Sequence, residues 1–306
     1  TKKLYPFIKN KTSAVLSKTE KRNILRDSAG VFTTKIGMTV LNSTDNLIIS
    51  SFIGSIVTAY YSNYSLIVGT VSTAMGLIFS SVQASIGNYC ILSGKDESRR
   101  MLLNMHYIYF CMYGFSAICL GALLSPFIQI WLGKDFLLAE GVVIAIVLKF
   151  YLSNVRQIVL NFLTVTHLLV CLNLKTVIET ILNIALSIYL VLQMGIIGIF
   201  VGTCASMLLT SLWYEPFVLY WKCLGKGLSR YYAETLKHLV VMGIGYAAAV
   251  LIRNFFFTGT FISFLLVCIT TVFIAAAAVC LPFIRSQEFL YMKGIAGRLK
   301  EKRFTC

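Results

Sequence analysis

The chain has 306 residues, 58% of them apolar, with a mean hydropathy of +0.80 and a formal net charge of +15. Apolar content this high, gathered in blocks of about 20 residues, excludes an ordinary soluble domain and indicates a helical integral membrane chain. The blocks are continuous, whereas strands of a membrane β-barrel alternate polar and apolar residues over about 10 positions, so a barrel is excluded as well.

The first 28 residues are polar and basic, with Lys18, Lys21, Arg22 and Arg26 leading into the first apolar run. They have no early apolar core and do not read as a cleavable signal; the chain begins at Thr1 rather than Met, and the expectation is a fragment. Eight spans follow, approximately 29–52, 57–85, 103–124, 138–163, 176–194, 196–219, 236–256 and 260–282, forming an all-α polytopic bundle. The tail after 284 alternates cations with Phe289, Leu290, Met292, Ile295 and Leu299 at helical spacing, which suits an amphipathic helix on an anionic lipid surface.

The charge is distributed by loop. The N-terminal segment, the 93–102 loop, Lys175, the 222–237 loop and the tail hold 22 of the 27 Lys and Arg, while the opposite loops hold only Lys134 and Arg253. The positive-inside rule places the 22-residue side, with both termini, in the cytoplasm, in keeping with an even number of spans. The basic balance therefore needs no nucleic acid.

Asp45 and the three cations Lys35, Lys149 and Arg156 fall inside spans. Asp45 lies midway along the first, on the edge of a face shared by Lys35, Asn42 and Asn46. A charge at bilayer depth costs about 2.5–3.5 kcal/mol on insertion scales and commonly faces a water-filled cavity or a partner. In the fourth span Lys149, Ser153 and Arg156 share a face at i, i+4 and i+7, with Gln157 beside them and Asn154 and Asn161 on a neighbouring strip. Lys149 and Arg156 are read either as anion ligands or as pairs to acids on neighbouring helices; Lys35 also fits a side chain snorkelling to the interface. Glu179, one turn into the fifth span, reads first as an acid solvated at the interface beside the positive helix end; with Thr176, Thr180 and Asn183 it also continues a polar face inward and is kept as a cavity candidate. Glu215, among Trp213, Tyr214, Tyr220 and Trp221, reads as interfacial anchoring. The candidate cavity set is Asp45, Asn42, Asn46, Lys149, Arg156, Gln157 and Glu179.

Enzyme chemistry has little support. The nine cysteines form no C-x-x-C pair, and His106, His167 and His238 lie far apart in sequence, so neither a metal site nor a disulfide framework is indicated. Phosphate-cradling glycine loops, nucleophile elbows and H-E-x-x-H motifs are missing, and no cofactor is implied. Energy for transport would come from an ion gradient, membrane potential or the substrate's own gradient.

Residues 41–54, LNSTDNLIISSFIG, followed by Tyr60-Tyr61-Ser62-Asn63-Tyr64 and later by Trp213-Tyr214-Glu215-Pro216-Phe217-Val218-Leu219-Tyr220, resemble the second half of bacterial oligosaccharide flippases. These form the polysaccharide transporter family of the multidrug/oligosaccharidyl-lipid/polysaccharide exporter superfamily. The resemblance implies a six-helix lobe over 29–222, two additional helices over 223–283, a cytosolic linker over 1–28 and a basic cytosolic tail over 284–306, with an N-terminal lobe missing. It implies a bacterial cytoplasmic membrane and translocation of an undecaprenyl-diphosphate-linked oligosaccharide by alternating access, often with a coupling cation, H+ or Na+. On that basis Arg156 and Lys149 would attract the diphosphate, Asp45 with Asn42 and Asn46 would contact sugar or ion, and the last two helices would form a groove for the polyprenyl tail. A cation-coupled multidrug exporter of the same superfamily is the alternative, and a membrane-embedded glycan polymerase a further one.

Overall fold

A computed structural model describes residues 17–294, and every α-helix or shorter helical turn among them is joined without a strand. The chain folds as α1 (Lys18–Phe52), α2 (Ser55–Leu92), α3 (Lys95–Trp131), α4 (Glu140–Val155) and α5 (Gln157–Val165). It continues through α6 (Asn173–Met194), α7 (Ile196–Leu209), α8 (Ser211–Leu219), α9 (Leu228–Phe256) and α10 (Phe261–Cys280).

Seven helical stretches are long and apolar enough to cross a membrane: Ser55–Ser81, Lys95–Trp131, Glu140–Val165, Leu169–Met194, Ile196–Leu224, Leu228–Phe256 and Phe261–Phe283. The protein is an all-α polytopic membrane protein. The eighth expected span, 29–52, lies within the 35-residue α1. Length is not its shortfall; Lys35 and the run Asn42-Ser43-Thr44-Asp45-Asn46 dilute its apolar residues, so it stands outside the seven.

Local chemistry explains the helix ends. A capping box opens α1: Ser17 Oγ accepts from the Glu20 amide at 3.1 Å and Glu20 Oε2 accepts from the Ser17 amide at 2.8 Å. The loop expected over 93–102 contracts to Ser93-Gly94, because α3 starts at Lys95 with Asp96 and Glu97 favourably placed in its first turn. At the other end of the chain, residues 287–294 are helical, and the rest of the expected amphipathic tail lies outside the described residues.

Two expected spans are broken helices. The fourth divides at Arg156 into α4 and α5, and the sixth divides into α7 and α8 at Thr210, whose φ/ψ of −125°/−71° leaves the helical region. In α8, Pro216 lacks the amide that would bond the Leu212 carbonyl, and a π-helical turn over Tyr220–Leu224 follows. Breaks of this kind free backbone groups and redirect side chains, and within a membrane they occur where protein or a polar cavity can satisfy them.

The centre of the bundle is α3, which packs against α4 on one side and against α9 and α10 on another. It buries Tyr107, Tyr109, Phe110 and Tyr113, with Phe79 of α2 stacked on Tyr109 at 3.7 Å between ring centroids. The outward face of α10 carries Phe261, Ile262, Ile269 and Phe273, as lipid contact requires. The closest helix approach is the α6–α7 hairpin, turned at Gly195 with φ +63°. A Cβ on Gly198 would lie 2.1 Å from the Leu190 carbonyl oxygen, and one on Gly202 would lie 2.8 Å from the Ser187 amide nitrogen. Small residues are what let helix backbones meet this closely in a membrane.

Gly202→Val should therefore destabilise the bundle by about 1–3 kcal/mol through overpacking. Gly243→Ala, where an added Cβ meets nothing within 4 Å, should cause no loss. Reversible unfolding in detergent micelles measures both.

Candidate functional site: a polar cavity with paired charges

A cavity of about 440 Å³ lies among α2, α4, α5, α6 and α7. Tyr61, Ser65, Ser72 and Thr73 of α2 form one wall, and Lys149, Ser153 and Arg156 form the facing one, as their shared helical face predicts. Gln157, Glu179, Thr203 and Ser206 also line it. Ser72 donates to Asn154 Oδ1 at 2.8 Å across the cavity edge.

The first charge pair closes the α1 side. Asp45 is buried, and its carboxylate receives the Lys149 ammonium of α4. The Thr203 hydroxyl of α7 lies 3.3 Å from the other Asp45 oxygen, and Asn183 Nδ2 of α6 donates to Thr203 at 2.9 Å. One carboxylate thus gathers polar groups from four helices.

The second group sits at the two helix breaks. Arg156, at the α4–α5 junction, gives one guanidinium nitrogen to Glu179 at 3.0 Å and another to Glu215 at 2.9 Å. Lys175 Nζ reaches Glu179 at 2.7 Å, Glu215 at 2.6 Å and Ser211 Oγ at 2.7 Å, while Ser211 donates to Glu179 at 2.6 Å. Lys175 and Glu179 are one turn apart on α6, and Ser211 and Glu215 one turn apart on α8, so each helix presents a matched pair. All these side chains are buried.

Two expectations are corrected here. Lys175 is not a loop residue facing the cytosol: its side chain is 7% exposed and neutralised by two carboxylates. Glu215 is not an interfacial anchor, although its neighbours Trp213 and Trp221 are exposed; its carboxylate turns inward because an uncompensated Arg156 and Lys175 would be far costlier to bury. Both were detectable as i, i+4 partners of Glu179 and Ser211. Thr203 and Ser206 carried no comparable signal, since hydroxyls on a membrane helix commonly bond only their own backbone.

Of the expected cavity set, Lys149, Arg156, Gln157 and Glu179 line the cavity, and Asp45 lies directly behind Lys149. Asn46 does not line the cavity itself: it is exposed and lines an adjoining groove between α1 and α2 with Ser62 and Thr70, which shares Ser65, Gly69 and Thr73 with the cavity. Asn42 and Lys35 have side chains outside the described residues. The three cations Lys149, Arg156 and Lys175 face the three acids Asp45, Glu179 and Glu215, so the set is formally neutral. The basic cavity inferred from Lys149 and Arg156 alone is therefore charge-balanced.

Elsewhere, His106 and His238 pack together, with ring centroids 4.9 Å apart, among Phe110, Tyr231 and Phe283. Among the described residues no group of three His, Cys, Asp or Glu is placed to hold a metal ion. At the opposite end of the bundle, Arg253 of α9 pairs with Glu140 of α4 at 2.8 Å. No family model, curated protein or solved structure matches the chain.

Removing one member of a buried ion group leaves its partner uncompensated, at a cost of about 3–5 kcal/mol. Lys175→Met should destabilise by that amount in reversible unfolding. Lys134→Met, in an exposed turn, should stay within about 0.5 kcal/mol of the parent.

Proposed function

We propose that this chain is the C-terminal part of a flippase that moves a lipid-diphosphate-linked oligosaccharide across the bacterial cytoplasmic membrane by alternating access. The observation that carries the reading is a polar cavity within the spanning bundle, lined by Lys149 and Arg156, each tethered to a carboxylate on another helix. Its volume lies within the range of about 300–1,000 Å³ typical of small-molecule sites, and its polar lining is unusual among them. Six charges are far more than packing needs, since a buried ion pair can often be replaced by apolar residues without loss of stability.

In this reading the pairing is part of the mechanism. An incoming diphosphate competes with Asp45 for Lys149 and with Glu179 and Glu215 for Arg156, whose planar fork suits phosphate oxygens. Exchange of one anion for another keeps the cations paired while releasing α1, α6 and α8 from α4 and α5; Glu179 and Glu215 retain Lys175, and the displaced Asp45 carboxylate takes up the coupling cation. Binding energy is thereby converted into a difference between two helix arrangements, which is what a population shift demands. The broken helices at Arg156 and Thr210 provide hinges at the same depth.

The exposed polar groove between α1 and α2, with Asn46, Ser62, Thr70 and Thr73, is poorly suited to lipid. A second helical lobe covering it would complete the translocation path. The distribution of Lys and Arg supports cytoplasmic termini.

One observation favours the alternative of a cation-coupled exporter: Glu215 Oε2 is buried with no hydrogen-bond partner, which leaves a carboxylate oxygen for a coupling cation to meet. Deleting the full-length gene separates the two. The flippase reading expects lipid-linked oligosaccharide to accumulate on the cytosolic leaflet, relieved by the wild-type gene but not by one carrying Lys149→Gln with Arg156→Gln. Absence of accumulation, together with altered sensitivity to lipophilic cations, would transfer the protein to the exporter branch.

A further inference from the structure

Away from the cavity, two adjoining clefts of about 610 and 280 Å³ open where α3, α9 and the helical segment 287–294 meet. Arg100 and Leu103 of α3 and Arg230 of α9 line both. The larger adds Asn104, Gln287 and Tyr291 as neutral hydrogen-bonding groups and the carboxylate of Glu288, and the smaller adds Arg99 and Asp96.

The local charges are unevenly engaged. Arg99 is committed to Asp96 at 3.0 Å and to the Leu224 carbonyl at 3.2 Å, yet its Nε is buried without an acceptor. Arg230 uses one nitrogen on Glu288 at 3.0 Å, and its side chain remains 57% exposed. Arg100 is exposed and has no ion-pair partner among the described residues. Guanidinium donors are thus left over at one spot, from two helices that both begin there.

Depth identifies the ligand class. Arg99 and Arg100 immediately precede the apolar run of α3, and Arg230 lies in the first turn of α9, so the clefts lie at the polar ends of these two membrane-length helices, the level expected for lipid headgroups. Leu103 and the exposed Leu290 supply an apolar wall beside the arginines. We propose that this groove binds the headgroup phosphate of an anionic phospholipid, with Arg100 and the free edge of Arg230 on the phosphate and an acyl chain along Leu103 and Leu290. The bound lipid ties the segment 287–294 to α3 and α9.

The test is native mass spectrometry of the purified full chain in neutral detergent, titrated with phosphatidylglycerol and with phosphatidylcholine of the same acyl chains. A basic side chain near an anionic headgroup contributes about 1 kcal/mol, so Arg100→Gln with Arg230→Gln should weaken phosphatidylglycerol binding about tenfold to thirtyfold. Phosphatidylcholine binding should be weaker and unaffected. Because Arg230→Gln also frees Glu288, Arg100→Gln alone should give a smaller loss of the same sign, with unfolding in lipid-free detergent confirming that each variant is folded. Lys134→Gln should bind as the parent does. Equal affinity for the two lipids, unchanged binding in the double variant, or displacement of phosphatidylglycerol by inorganic phosphate as readily as by the lipid itself would overturn the proposal.

Discussion

Burying a charge in a medium that cannot solvate it costs several kcal/mol, and that single constraint organises this molecule. Arg156 can remain at the α4–α5 junction only because Glu179 and Glu215 reach it from α6 and α8, and those acids stay inward because Lys175 joins them. Lys149 is held in the same way by Asp45 across the α1–α4 boundary. The positions of five helices around the cavity follow from these pairings as much as from apolar packing, which in a membrane gives helices little reason to prefer one another over lipid.

The same arrangement links structure to movement. Tight apolar seams, such as the α6–α7 hairpin around Gly198 and Gly202, keep helices together as rigid units. Ionic seams behave differently, because an anionic ligand can replace the carboxylate on a cation, provided that the displaced carboxylate keeps or finds a cation of its own, as Glu179 and Glu215 do in Lys175. The cavity is bounded by ionic seams and by the two broken helices, whereas α3, α9 and α10 are joined through aromatic and aliphatic contacts. In the proposed alternating-access cycle the cavity side would rearrange, with α3, α9 and α10 as the frame.

Much of this was legible in the residues. Continuous apolar blocks located the helices, since length and hydropathy alone decide what can span, and the i, i+4, i+7 spacing of Lys149, Ser153 and Arg156 marks one helical face, whose residues line the cavity. Less was legible for α1, where a run read as a span proved a helix too polar to count among the apolar seven. Pairing was hidden because helical periodicity gives the direction of a side chain relative to its own axis but not which neighbour it meets. Lys175 looked like a loop cation, and Glu215 was masked by its aromatic neighbours, yet both turn inward, Glu215 to pair with Arg156 and Lys175 to share the two carboxylates with it. Asn46 shows the converse: only one residue from Asp45, it turns through about 100° of helix and reaches the α1–α2 groove instead of the cavity.

The central claim is that the intramembrane charges are held by one another, and a double-mutant cycle on Asp45 and Lys149 tests it most directly. Asp45→Asn and Lys149→Met should each destabilise reversible unfolding in micelles, while the combined variant should lose much less than their sum, giving a coupling energy within the range of about 0.5–3 kcal/mol found for contacting residues. Single effects that add to within about 0.3–0.5 kcal/mol would mean that the two side chains do not hold each other. The ionic seam between α1 and α4 would then not exist.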